Sequence, residues 1–526
     1  MGKFLIISEG GDGIGLAVRL QAEGHEARIW IRDSESEHRG EGIVEHAHDY
    51  EFGEIVVADC TGSGVLLDSF REHGGRTVGG SVVADKLESD REYATQVMQR
   101  AGIKVPHSRS FHDWNDAAEF IRESEAKLVF KPDGKCSGVI PSFCPSDNRE
   151  LLESLDHFKT LLGASEAPEF TLQEFIEGVA VSTEGWFDGE KFIRPFNRTI
   201  ERKHFLNDDL GPSGGCSGNV VWPVEDDVVV QNGILRMEDF LREVRYQGAI
   251  DLNCVVNEDG LYGLEFTPRF GYDAFPTLLY GLYTGDFGHF LYQLASGQGP
   301  DVMEVSNCYA AGVKVSLPPW PTEKYNSEAG VPIRGLSFHD LKTSFYPYEV
   351  SWKDSKFTTS GGYGIIGVMN AAGDTIDEAF ARCYQKLSKL KLPDKQYRTD
   401  LAHQCIKDFN ELALFTGDLS DDAWIGVDLD GTLAHYSGYK KHIGDPIPRM
   451  VTRVRRWITE GKQVKILTAR VAPRDEQHEQ QVLVHEWVKE HIGYPLEVTS
   501  HKDYRMQILW DDRVQAVEVN TGKRVA

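Results

Sequence analysis

Residues 251–273 read DLNCVVNEDGLYGLEFTPRFGYD. Two short runs alternate apolar and polar residues and are joined by Asn257-Glu258-Asp259-Gly260, the pattern of a β-hairpin. Asp251 lies on the first run and Glu265 on the second. A hairpin brings both carboxylates to one edge of a sheet. Two hard oxygen ligands held together suit Mg²⁺ (or Mn²⁺), which bridges phosphates rather than sitting in an all-protein cage. Arg269 follows four residues after Glu265 and suits two-pronged binding of a carboxylate or phosphate. The competing reading is a surface hairpin with solvated acids.

The surroundings decide between these readings. At 526 residues the chain is long enough for roughly three to four domains. Its net charge of -26 disfavours direct nucleic-acid binding and anionic membranes, so any phosphate site must be built locally. The eight cysteines are scattered without a C-x-x-C pair, which points to free thiols in a reducing cytoplasm and away from zinc. No apolar run reaches membrane-spanning length, and MGKFLIIS reads as a strand and not as a signal peptide.

From the N-terminus, KFLIIS (3–8), the Gly-rich EGGDGIG, a helix from about Leu16 to Glu23, and HEARIWI form a β–loop–α–β start. Strand 54–60 and helix 63–74 continue the alternation, followed by a helix over 85–102. No acid stands at the ribose position of a dinucleotide site, so a Rossmann-like domain without NAD is expected over 1–105. Residues 106–300 mix long β segments with helices, as an α+β domain does. Residues 301–412 are β-rich and end helically. An acidic linker (413–423) precedes a fresh start at 424. The expected class is therefore α/β and α+β, multidomain.

Several other pieces converge on phosphate chemistry. Lys131 ends an apolar strand beside the turn holding Gly134, Ser137 and Gly138, where charge and backbone N–H groups hold phosphates. Lys86 starts a helix after Gly79-Gly80. Glu174-Phe175 ends a strand and offers backbone groups to an adenine ring. The loop DDLGPSGG, from Asp208 and Asp209 through Gly211, Pro212 and Ser213 to Gly214 and Gly215, favours close backbone approach to a ligand.

In order and spacing, these pieces resemble the ATP-grasp family, in particular the phosphoribosylamine–glycine ligases (glycinamide ribonucleotide synthetases), over about residues 1–412. RKHFLNDDLGPSGGCSG (202–218) looks like that family's Asp-x-Gly-Pro-x-x-Gly-Gly loop, and GLEFTPRFG (263–271) like its Glu-Phe-Asn-x-Arg-Phe-Gly motif. TTSGGYG (358–364) and QYRTDL (396–401) match two further landmarks. The resemblance implies a ligase joining a carboxylate such as glycine to an amine such as phosphoribosylamine, with ATP and Mg²⁺, through an acyl phosphate. It makes Lys86 and Lys131 phosphate ligands, Glu265 a metal ligand and Arg269 the grip on the carboxylate. The 208–215 loop would enclose the amino acid.

There are departures. Thr267 replaces the family's second metal ligand, Asn, shifting weight to Asp251. Ala180 replaces the acid near the ribose, with Glu184 on the same strand face as substitute. The family's Gly-Gly-Arg-Glu-His becomes Gly10-Gly11-Asp12-Gly13-Ile14. A changed amine (peptide, nucleobase or modified nucleotide) is the alternative, and a nucleotide-binding regulator the third reading.

WIGVDLDGT (424–432), KILTAR (465–470), LEVTS followed by Lys502, and QILW followed by Asp511-Asp512 form a second set. In that order they resemble the haloacid dehalogenase phosphatase superfamily. This implies Asp428 as nucleophile, Asp430 as acid and base, Thr468 and Lys502 on the phosphoryl group, and Asp511 and Asp512 with the two motif acids around Mg²⁺. No large cap fits between Thr432 and Thr468. Domains of this kind recur in bacteriophages, which makes a viral source one implication. Localisation is expected to be cytoplasmic, with a phosphorylated small molecule as the second substrate.

Overall fold

The computed structural model describes residues 2–49, 52–132, 142–162, 169–322, 327–416, 423–436, 438, 442–459, 461–473, 477–503 and 505–514. The chain forms two compact units, Met1–Cys405 and Ile406–Ala526. Among the described residues, no helix is long and apolar enough to cross a membrane.

The first unit opens with a five-stranded sheet in which every pairing is parallel. Its strands are Lys3–Ser8, Glu26–Ile31, Glu45–His46, Ile55–Ala58 and Arg76–Val78, in spatial order third, second, first, fourth, fifth. Phe4 to Ile7 and Ile55 to Ala58 are fully buried, as strands covered on both faces must be. The order reverses between the first and fourth strands, and helices Ile14–Ala22 and Gly64–Glu72 follow those two strands. The single helix expected over 85–102 is two, Val82–Ser89 and Arg91–Arg100. Asp90 breaks it: its backbone is extended, and its carboxylate caps the second helix by accepting from Tyr93 N.

A small antiparallel sheet follows, with Phe170–Glu174 between Ser108–Phe111 and Leu128–Pro132. Phe111, Trp114, Phe130 and Phe170 form its core with helices Trp114–Glu123 and Asn148–Leu162.

The largest sheet has eight strands. From one edge they are Gly260–Thr267, Gly248–Asn257, Val179–Phe187, Phe192–His204, Ser213–Val224, Tyr309–Ser316, Ile365–Gly373 and Phe345–Pro347, all paired antiparallel. The boundary expected at 300/301 falls inside this sheet, because Val220 and Val221 pair with Ala311 and Ala310. The boundary between the two units falls within helix Leu401–Thr416.

The second unit is built on a four-stranded parallel sheet ordered Glu497–Thr499, Gln463–Leu467, Trp424–Val427, Met506–Trp510. Leu414, Ile425, Val427, Val454, Trp457, Ile466 and Val488 form its core. Helices Pro448–Thr459 and Gln477–His491 contribute Val454, Trp457 and Val488.

Candidate functional site

The hairpin forms at the edge of the eight-stranded sheet. Asp251 stands opposite Thr267 and Asn253 opposite Glu265, after which Cys254 pairs with Gly263. Leu264 is therefore an extra residue, a β-bulge. On the near side of the bulge, the two-residue repeat puts Asp251, Asn253, Glu265 and Thr267 on one face. All four line a cavity of about 160 Å³.

Asn253 was not read as functional in the sequence. Its Nδ2 donates to Asp251 Oδ2 and to Thr267 Oγ1, each at 3.3 Å. Asp251 Oδ1 is buried and accepts no hydrogen bond of normal geometry, although the Ser182 hydroxyl is close by. Burial, and then the charge of Glu201, push the Asp251 carboxyl up to about 7. A buried unpaired oxygen is costly unless something charged meets it. The exposed carboxylate of Glu265, the Asn253 amide and the Thr267 hydroxyl complete an all-oxygen donor set that fits a hard divalent cation.

Arg269 lines the same cavity. Its Nε and Nη2 donate to Glu88 Oε1 at 3.1 and 2.9 Å, and its guanidinium lies 3.8 Å from the centre of the Tyr272 ring. A second cavity of about 80 Å³ is lined by Arg91, Lys131, Ala180 and Leu264, and shares Ser182, Glu201, Lys203, Asn253 and Glu265 with the first. Burial lowers the Lys131 ammonium from its ordinary range. Burial would also lower Lys203, but Glu201, Glu265 and Asp251 outweigh it and raise the group.

Several expected residues stand elsewhere. Lys86 is exposed, lines neither cavity, pairs with Asp90 at 3.9 Å and lies over the Tyr93 ring. It sits on the solvent side of its helix, whereas Lys203, also exposed, borders both cavities from a strand of the large sheet. The N–H groups of Glu174 and Phe175 already donate to the carbonyls of His107 and Lys127, so neither can donate to a ring. Gly134, Ser137 and Gly138 lie outside the described residues.

Glu184 lines the first cavity and not the second, where Ala180 is. Four residues of strand separate them by about 13 Å, so sharing a face does not make Glu184 a substitute for an acid at Ala180. Glu184 accepts from Asn197 Nδ2 at 3.0 Å, and burial followed by the charge of Asp251 pushes it up to about 8. Unfolded, such a group ionises near 4.5. Between these values the folded state keeps a proton that the unfolded state has lost, so stability falls as pH rises. In EDTA, urea unfolding of the parent should lose up to about 1.4 kcal/mol per pH unit across that window from this group. Glu184→Gln should remove that part of the slope. An unchanged slope would mean that Glu184 ionises as an ordinary carboxyl.

The 208–215 loop is held from outside the cavity. Asp208 and Asp209 both have positive φ, 58° and 53°. Asp208 N donates to Asp400 Oδ2, while the Asp209 carboxylate accepts from Arg202 at 2.8 Å and Arg398 at 2.7 Å. Arg398 is buried and also pairs two-pronged with Asp400. The Asp208 N–H and the Asp209 carboxylate thus fasten the loop to Arg398 and Asp400, and neither residue lines the two cavities. Gly211, Pro212 and Ser213 are exposed, Gly214 packs against Trp320, and Gly215 lines the first cavity.

In the second unit, carboxylate oxygens of Asp428, Asp511 and Asp512 lie within 4.8 Å of one another. Burial and then Asp511 push Asp428 up to about 7. Gly431 has φ 103°, a conformation L side chains rarely adopt, and a Cβ there would press on the Asp512 carboxylate, so the turn after Asp430 favours glycine. Asp430 is held two-pronged by Arg470, Nε at 2.5 Å and Nη2 at 2.7 Å. Arg470, two residues after Thr468 in the same KILTAR stretch, was given no role from the sequence. Thr468 is buried and accepts from Arg470 N, and Lys502 is exposed between the two strands that flank it.

Residues 89–274 match the family model described as phosphoribosylglycinamide synthetase, ATP-grasp (A) domain. A phosphoribosylamine–glycine ligase from Streptococcus pneumoniae is 25% identical over 431 residues, covering 77% of this chain and 100% of that protein. One from Caldanaerobacter subterraneus is 27% identical over 352 residues, covering 64% and 81%. The crystal structure of phosphoribosylamine–glycine ligase from Thermotoga maritima matches with a TM-score of 0.57 at 20% identity, over 76% of this chain and 99% of that one. A biotin carboxylase complex with β-γ-ATP from Campylobacter jejuni matches at 0.52 and 13%, over 79% and 95%. The first unit thus carries an ATP-grasp domain in a mixed α/β fold, with homologues among these ligases.

Proposed function

We propose that the first unit is an ATP-dependent carboxylate–amine ligase of the phosphoribosylamine–glycine ligase type, and that the second is a metal-dependent phosphatase. The observation that carries the ligase reading is the pair of cavities sharing Lys203, Asn253 and Glu265, with Lys131 on one side and Arg269 on the other. One side suits a nucleotide and the other a carboxylate.

In this reading Lys131 and Lys203 draw the ATP phosphates in, and Arg269 orients the carboxylate of an amino acid such as glycine. Asp251, Asn253, Glu265 and Thr267 would hold Mg²⁺ or Mn²⁺, which when bound neutralises phosphate charge. The γ-phosphoryl group passes to a carboxylate oxygen and ADP leaves. The uncharged amine then attacks the carbonyl carbon. A C–N bond forms, the C–O bond to phosphate breaks, phosphate departs with the electron pair, and nitrogen sheds a proton. Positioning and charge supply most of such a rate gain.

In the second unit Asp428 would attack phosphorus. Asp430 would protonate the leaving group and then deprotonate water. Thr468 and Lys502 would hold the phosphoryl oxygens, and Asp511 and Asp512 would share the metal with Asp428. The four-stranded parallel sheet with three acids at its strand ends supports a haloacid dehalogenase-like fold, as the 3-2-1-4-5 sheet supports a Rossmann-like first domain. A first domain ending near residue 105 belongs to the same proposal.

The test is ADP release with ATP, Mg²⁺ and a panel of amino acids and amines. Release that never depends on an amino acid would sink the reading. Lys203→Met should raise the KM for ATP at least about tenfold, the worth of one charge-assisted phosphate contact, and Lys86→Met less than about twofold. The reverse order would exchange their roles.

A further inference from the structure

The order of the five-stranded sheet reverses between strands Lys3–Ser8 and Ile55–Ala58. In open parallel sheets, ligands use the crevice at the carboxyl ends of strands beside such a reversal. Two turns border it here, 9–13 and 59–63, and each leads into a nine-residue helix. Gly13 offers no side-chain cap to the first helix, whereas at the start of the second the Asp85 carboxylate accepts from Gly62 N at 2.7 Å and Gly64 N at 2.8 Å. Amides so placed suit an anion, such as the phosphate of an ester.

The chain puts its own carboxylate there. A Cβ on Gly13 would come within 2.7 Å of Asp59 Oδ2, which sets Asp59 against the start of helix Ile14–Ala22. Asp59 is 3% exposed, and neither of its oxygens accepts a hydrogen bond of normal geometry, although Ser8, Cys60 and Gly13 are close by. The Ser63 hydroxyl is likewise buried without a partner.

Asp12 adds a second carboxyl group, and burial raises both acids from the ordinary carboxyl range, Asp59 to about 7. The charged groups around Asp12 are Asp59, Arg39, Asp273, Arg269 and Lys314. Each cation in that set serves another carboxylate: Arg39 pairs with Glu349 at 3.3 Å, Arg269 with Glu88 at 2.9 Å and Lys314 with Asp273 at 3.1 Å. Among the described residues, Asp12 and Asp59 have no ion-pair partner of their own. The crevice adjoins the first cavity, because Arg269, Tyr272 and Asp273 line that cavity and act on these two acids through space.

A doubly charged phosphate would meet two carboxylates and a helix start already facing one of them. A cation would meet two acids lacking counter-charge, one desolvated, where attraction is strong. The attacking nitrogen must itself be uncharged, so the recognised charge belongs to another group of the same molecule.

We propose that the acceptor of this ligase is an unphosphorylated amine carrying a second, cationic group, seated against Asp12 and Asp59 in the crevice beside the first cavity. The proposal rests on the ligase reading.

The test uses the full chain, ATP and Mg²⁺. Hydroxylamine traps any acyl phosphate as a hydroxamate, which identifies the activated amino acid from a panel beginning with glycine, without the natural acceptor. With that amino acid, 1,3-diaminopropane should support ADP release with kcat/KM at least about tenfold above propylamine or phosphoribosylamine, the gain expected of one good charge contact. Asp12→Asn and Asp59→Asn should each erase the diamine's advantage over propylamine, a ratio that a loss of folded protein does not move. Hydroxamate formation with a preference for phosphoribosylamine would overturn the acceptor assignment and leave the ligase intact. So would variants that keep the diamine preference. No hydroxamate with any amino acid would overturn both.

Discussion

Asp251→Asn is expected to lower ADP formation by at least about 100-fold, while Thr267→Ala lowers it less than about tenfold. The two residues face each other across the hairpin, yet their environments differ. Thr267 is half-buried, and its hydroxyl already accepts from Asn253. Asp251 is buried, with one oxygen lacking a hydrogen bond of normal geometry and its proton held up to about 7. A cation there must displace that proton, so apparent Mg²⁺ affinity should fall as pH drops below about 7. The Asn variant has no proton to displace and should lose that pH dependence along with the activity. Kinetics across Mg²⁺ concentration at pH 6 and 8 would check both. If Thr267→Ala proved the more damaging change, the second metal ligand would be Thr267.

Asp428→Asn should reduce hydrolysis of p-nitrophenyl phosphate by at least about 1,000-fold and leave amino-acid-dependent ADP release unchanged. The attacking oxygen cannot be replaced by an amide, and the three-acid cluster loses a charge. Asp428 belongs to one compact unit and the hairpin to the other. Hydrolysis that survives the substitution would assign the nucleophile elsewhere, and a parallel loss of ligation would show that the units work as one.

What the sequence made legible was local. The alternating runs and the Asn-Glu-Asp-Gly turn fix a hairpin by themselves, and each acid of the second unit ends a strand. Parallel strands then bring Asp428, Asp511 and Asp512 to one end of the sheet without any long-range guess. Harder to see were residues whose role depends on a neighbour far along the chain. Asn253 matters because it faces Glu265, and a bulge hides that register. Lys203 and Glu201 reach the cavities through strand pairings. Asp209 looked like a ligand for substrate because its partner, Arg398, lies 189 residues away. Lys86 was misplaced for a different reason, since a helix start after two glycines resembles a phosphate loop whichever way its lysine turns.

The bulge at Leu264 also bears on which changes in chain length this hairpin tolerates. Successive side chains of a regular strand point to opposite faces, yet Leu264 and Glu265 both border the second cavity. The extra residue thus works as a phase correction between the tip of the hairpin and its base. Strand Gly248–Asn257 is pinned along its other side by nine paired residues of Val179–Phe187, so only the outer strand can slip. Removing Leu264 would leave Gly263 opposite Cys254 and Glu265 opposite Asn253, so Glu265, Phe266 and Thr267 keep their faces and only the local bend of the outer strand is lost. Two-residue changes at the 257–260 turn keep the phase and leave the base as it is. The changes in length that keep the base intact are therefore paired ones at the tip and loss of Leu264 itself, which a deletion series read out as activity would check.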